Sequence, residues 1–106
     1  MKNLLNYFFL AFLLHGNAQQ KTDIDRVNNT AYNVKLANAA TLDEVFLKNA
    51  KAAHKIGYVL GEADSYDNLS LVYYTLGKYD KNLQFALKAI ALYESLKASE
   101  KLADAY

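Results

Sequence analysis

Cysteine is absent from all 106 residues. Disulfides, zinc–thiolate centres and iron–sulfur clusters are therefore excluded, and packing and hydrogen bonds alone must hold the fold together. Proline and tryptophan are also absent, and glycine occurs four times, at Gly16, Gly57, Gly61 and Gly77. So few breakers, in a chain rich in alanine, leucine and lysine, favour helix. No excess of one charge exists either. Twelve basic residues face 11 acidic ones, for a net charge of +1, and no basic run occurs. Nucleic-acid binding needs a clustered cationic face, so nucleic acid is not an expected partner. What the chain does have is apolar content, at 53%. That is enough to bury a core and distinguishes it from a disordered tail.

Long apolar runs are missing too. The longest stretch, Leu4–Leu14, is interrupted by Asn6 and is about half the length needed to span a bilayer. Lys2 precedes it, and His15-Gly16-Asn17-Ala18 follows with small residues at Gly16 and Ala18. This is the form of a secretory signal peptide, residues 1–18, with cleavage expected after Ala18 and Gln19 as the new terminus. The competing reading is an uncleaved anchor. Removal of the segment takes Lys2 with it and leaves 11 basic against 11 acidic residues. Because no lipid-bearing cysteine exists, the expected product is periplasmic or secreted. Membrane attachment would require a transmembrane helix further downstream.

Helical periodicity is clearest between Ala63 and Leu96. Ala63, Tyr66, Leu69, Ser70 and Tyr73 lie on one stripe of a 3.6-residue period. Gly77 is placed to stop that helix, since glycine readily adopts the left-handed conformation. Tyr79, Leu83, Ala86, Ile90 and Tyr93 form a second stripe with steps of four and three. A link as short as Gly77-Lys78 predicts an antiparallel hairpin. Asp80 falls in the first turn of the second helix, where a carboxylate favours the positive end of the dipole. Upstream, Ile24, Val27, Ala31 and Val34 predict a further helix, followed by a link at Asn38-Ala39-Ala40. Thr41 and Glu44 have the spacing of a capping box. Phe46, Asn49, Ala50, Ala53 and Ile56 continue a helix that Gly57 to Gly61 is expected to end, with Asn49 at a boundary position. Ala63-Asp64-Ser65-Tyr66 recurs as Ala103-Asp104-Ala105-Tyr106, and Phe46 and Ala50 recur as Phe85 and Ala89. These near-equal shifts suggest a solenoid of two-helix units. The expected fold class is all-α: antiparallel helix-hairpin repeats after a signal peptide.

Over Ala63 to Leu96 the chain resembles the tetratricopeptide repeat family. Tyr66 stands at the first large aromatic, Leu69 and Ser70 at the leucine–glycine pair, and Tyr73 at the helix-A tyrosine. Gly77-Lys78-Tyr79-Asp80 matches the turn, and Phe85, Ala86, Ala89 and Ile90 fit the second helix. Ser70 replaces the usual glycine, Asn82 replaces an alanine and is expected to loosen the hairpin, and no proline closes the unit. The spacing near 40 looks like the longer-period subclass of exported bacterial proteins. The implied organisation is a degenerate first hairpin at 19–61, a full repeat at 62–98 and the start of a further repeat at 99–106. Such units bury their faces only against neighbours, so the isolated chain is expected to melt non-cooperatively or to self-associate. Tyr66, Tyr73 and Tyr79 are expected to fill the core rather than to line a ligand cage.

The residues offer little for catalysis. His54 is the one histidine after the leader, and no second histidine lies at i±4. It is expected to be a solvated or boundary residue. Asp23 and Asp25 lack the further oxygens of a calcium loop and are expected to serve as capping charges. Asn28-Asn29-Thr30 and Asn68-Leu69-Ser70 match the glycosylation sequon and are expected to be silent. Glu94, Lys97, Glu100 and Lys101 look like a solvated face. No cofactor, metal or enzymatic activity is expected. What the resemblance implies instead is a groove, because helix A lines the concave face in the family. Carried onto this chain, the groove positions are Asp64, Asp67, Asn68, Leu71, Tyr74 and Thr75. Asn68 matches an asparagine that bonds a bound peptide's backbone, whereas Asp64 and Thr75 stand where carboxylate-clamping bases would be. The competing reading packs Leu71 and Tyr74 on a neighbouring unit. The expected function is a protein-interaction module that binds a peptide or partner domain. The alternative is the N-terminal sensory or regulatory region of a membrane-bound sensor kinase or transcriptional regulator.

Overall fold

The computed structural model describes residues 18–104, so the expected leader up to Asn17 and the terminal Ala105-Tyr106 lie outside the described residues. The described chain is all-α. Residues 18–28 are helical (α1), followed by α2 (Tyr32–Ala37), α3 (Ala39–Lys55), α4 (Val59–Thr75) and α5 (Tyr79–Asp104). No strand occurs among the described residues.

Two glycines set the path. Gly57 and Gly77 have φ of 70° and 75°, which costs little without a Cβ. At each, the glycine N–H donates three residues back (Gly57 to His54 O, 3.1 Å; Gly77 to Tyr74 O, 3.0 Å). The residue after it donates five back (Tyr58 to Ala53 O, 2.9 Å; Lys78 to Tyr73 O, 2.8 Å). Both links are thus Schellman turns that satisfy the last carbonyls of a helix. Each returns the chain at once, so α3 and α4 form one hairpin and α4 and α5 a second.

Gly61 behaves differently from the expectation that it helps end α3. It lies in the first turn of α4, where a side chain would collide with its surroundings. A Cβ at Gly61 would sit 2.5 Å from Tyr58 Cδ2 and 2.9 Å from Ile24 Cγ2. The small residue is what lets α1 approach α4. Gly61→Ala is therefore expected to destabilise the fold by about 1–3 kcal/mol through overpacking, despite alanine's advantage of about 1 kcal/mol in a helix. Urea denaturation measures this, and a rise in stability would show that Tyr58 yields freely.

The upstream stripe does not form one helix. Asn29 is a turn and Ala31 is extended (φ −60°, ψ 145°). Thr30 Oγ donates to Val27 O at 2.6 Å, and its backbone N–H donates to the same oxygen at 3.2 Å. Such local bonding by a hydroxyl offers the backbone an alternative to helix. Ile24 is buried and Val27 half-buried, whereas Ala31 and Val34 are exposed. The expected link at residues 38–40 shrinks to Asn38, since α3 begins at Ala39, which is buried. Thr41 lies inside α3 and donates back to Asn38 O at 3.1 Å, so the expected capping box is not used.

Helix α4 is the centre. It packs on α3 on one side and on α5 on the other, and its buried residues (Gly61, Glu62, Ala63, Ser65, Asn68, Leu69, Val72, Tyr73) surround more than one face. The core joins Phe46 of α3, Leu69, Val72 and Tyr73 of α4, and Phe85 of α5. The Tyr73 and Phe85 rings stack at 5.5 Å, and Tyr66 tilts against Phe85 at 5.7 Å, a favourable arrangement for aromatic pairs. On α5 the expected core stripe is corrected. Phe85 and Ala89 are buried, whereas Tyr79, Leu83 and Ile90 are exposed. Helix α5 carries two apolar stripes at helical spacing, and α4 covers only one. It also runs unbroken past Ser99 to Asp104, with no turn at the expected start of a further repeat.

Candidate functional site

An open cleft of about 340 Å³ lies where α2, α4 and α5 meet, lined by Lys35, Asp67, Asn68, Ser70, Leu71, Tyr74 and Asn82. Four of the six groove positions line it: Asp67, Asn68, Leu71 and Tyr74. Asp67, Leu71 and Tyr74 share it because i, i+4 and i+7 lie on one helix face, and Asn68 adjoins them at i+1. Asp67 and Tyr74 are exposed and Leu71 is half-buried.

The other two point elsewhere. Asp64 accepts a hydrogen bond from Tyr93 of α5, so its carboxylate joins two helices. Burial and that bond both raise the Tyr93 phenol, since ionising it would place two negative charges together. Thr75 Oγ donates to Leu71 O at 2.9 Å, within its own helix.

Asn68 is buried, and its carboxamide is already engaged. Its Oδ1 accepts from Lys35 Nζ at 2.9 Å, and its Nδ2 lies 3.2 Å from both the backbone oxygen and the Oδ1 of Asn28. It therefore holds α2 and the end of α1 against α4. The cleft also contains residues the sequence did not suggest. Lys35 brings a cation, so the face is not purely acidic and aromatic. Its signal was weak, because a lysine on a six-residue helix with no buried residue looks solvated. Ser70 Oγ donates towards Asn82, with Oδ1 at 2.6 Å and the backbone oxygen at 3.1 Å. Asn82 thus ties α4 to α5 instead of loosening the hairpin.

Behind the cleft runs a buried polar chain. Asn49 Nδ2 donates to Ile24 O and to Ser65 Oγ, both at 3.1 Å. Ser65 Oγ has one proton to give and lies 2.8 Å from Gly61 O and 3.0 Å from Asn28 Oδ1. Asn28 Nδ2 donates to Gly61 O at 3.0 Å. Asn49 is therefore a buried linchpin and not a boundary residue. Together these bonds attach α1 to α3 and α4. Outside them, Tyr58 OH donates to Asp25 Oδ1 at 2.7 Å. That bond, with burial and the nearby negative charge, pushes the Tyr58 phenol up to about 12. Asp25 therefore joins α1 to the start of α4, while Asp23 pairs with Arg26 at 3.0 Å on the surface.

His54 is exposed, and its Nδ1 lies 3.1 Å from Oε1 of Glu62, whose Oε2 accepts from Tyr66 OH at 3.1 Å. Burial, followed by that bond, raises the Tyr66 phenol. Among the described residues no group of three or more His, Asp or Glu side chains could hold a metal ion. No helix among them is long and apolar enough to cross a membrane. The arrangement offers a shallow recess with one cation, one anion, an exposed phenol and an apolar floor at Leu71. Comparison with protein-family models, curated proteins and solved structures finds no match.

Proposed function

We propose that this chain is an interaction module of the tetratricopeptide type, which holds an extended peptide or a loop of a partner protein in the cleft along α4. The observation that carries this reading is the convergence of Asp67, Leu71 and Tyr74 with Lys35 in one open recess. Paired opposite charges with an aromatic and an aliphatic contact suit a peptide of mixed character, oriented by its charges and anchored by an apolar side chain. Two consecutive hairpins joined by identical Schellman turns support the repeat reading, because a solenoid is built from such units. The expected setting is extracytoplasmic, after removal of residues 1–18. A sensory or regulatory role would use the same recess.

The test is a peptide array probed with the full chain and with the Asp67→Ala, Tyr74→Ala double variant. Both substituted positions are exposed, so the variant should keep its helical circular dichroism. Capture of peptides by the parent chain should fall by about tenfold or more in the variant, as loss of an aromatic anchor and a charge implies. Equal capture by both proteins would remove the cleft as the binding site.

A further inference from the structure

From the outer face of α5 we infer that two copies of this chain pair, α5 against α5 and antiparallel. The patch is large for one chain. Tyr79, Leu83, Leu87 and Ile90 are 62, 60, 57 and 50% exposed, and Tyr74, at 60%, adjoins them through its contact with Tyr79 (ring centroids 5.8 Å apart). Together they present on the order of 500 Å² of contiguous apolar surface, near the upper limit of what monomers show. Two such patches face to face remove about 1,000 Å², the threshold that separates a specific interface from an incidental contact. The face is a regular seam: Tyr79, Leu83, Ala86 and Ile90 follow steps of four and three, the spacing that lets one helix insert its side chains between those of another. Ala86, half-buried at the middle, leaves room for close approach.

Charge selects the orientation. Lys97 and Lys101, both exposed, continue the seam beyond Ile90. In a parallel pair, lysine would meet lysine. In an antiparallel pair, Lys97 meets the end of the second copy that carries Tyr79 and Asp80. Lysine over tyrosine is a contact this fold already makes, with Lys21 over Tyr58 and Lys81 over Tyr73, each at 5.2 Å. A chain with net charge +1 adds little long-range repulsion. Tyr74 also lines the α4 cleft, but the pairing rests on the α5 face and not on what that cleft binds.

Analytical ultracentrifugation of the full chain at about 100 µM, a concentration that populates even a weak pair, should show a dimer. Leu83→Glu and Ile90→Lys should each weaken it by about tenfold or more, with helical circular dichroism unchanged because both side chains are exposed. Since the protein has no cysteine, introduced thiols report orientation cleanly. A Tyr79→Cys chain mixed with a Lys97→Cys chain should form a mixed disulfide, and neither should link efficiently to itself. A monomer at that concentration, a dimer that survives both charge substitutions, or self-linking in place of the mixed disulfide would overturn the inference.

Discussion

Phe46→Ala is expected to lower stability by about 3–5 kcal/mol, the usual loss when a large core aromatic is truncated. Phe46 is 0% exposed and belongs to the cluster that joins α3 to Leu69, Val72, Tyr73 and Phe85. A domain of this size holds roughly 5–10 kcal/mol in total, so the variant should stand close to its unfolding midpoint at room temperature. Because about 1 kcal/mol corresponds to 4–8 °C in so small a domain, thermal melting should move by 15 °C or more. Leu60→Ala provides the control. Leu60 is exposed, and its truncation should shift the melt by only a few degrees. A Phe46→Ala shift as small as the control's would mean that the α3–α4 interface does not carry the fold.

The second large effect is expected in the polar chain behind the cleft. Asn49→Ala removes the donor that serves both Ile24 O and Ser65 Oγ. Ser65→Ala removes the hydroxyl placed between Gly61 O and Asn28 Oδ1. Each change strands buried polar groups, at about 1–3 kcal/mol. Because the two residues share one hydrogen bond, the double variant should lose clearly less than the two single losses combined. Hydrogen exchange should localise the damage. Amides of α1 should lose protection, since apart from Ile24 none of its described residues is buried and these bonds attach it. Strict additivity, or unchanged α1 protection in both single variants, would show that the chain of bonds does not hold α1.

Both effects trace to the position of α4. Flanked by α3 and α5, it buries residues around most of its circumference, and these include Glu62, Ser65 and Asn68 as well as Leu69 and Val72. Polar groups inside such a helix must find partners on its neighbours. Asn49, Asn28 and Lys35 supply them. The same bonds that satisfy the core therefore position α2, and with it Lys35, at the rim of the cleft. Cleft geometry and core stability are thus linked through Asn68.

Several features followed from the residues alone. The absence of proline and the scarcity of glycine, with the 3.6-residue periodicity, favoured helix, and the described chain has no other regular structure. Gly77 after an apolar stripe located a turn, because a residue without a Cβ is the inexpensive way to reach φ near +75°. The spacing of Asp67, Leu71 and Tyr74 put them on one face before any packing was known. What periodicity could not provide was the choice between competing faces. Helix α5 has two apolar stripes, and only the placement of α4 decided that Phe85 and Ala89 go inside while Leu83 and Ile90 remain in water. Nor could it separate Asn68, held by Asn28 and Lys35 from 40 and 33 residues away, from Asp67 beside it, which is exposed. Local spacing is a property of one helix, whereas burial and hydrogen-bond partners belong to pairs of helices, and those pairs exist only once the chain has turned back on itself.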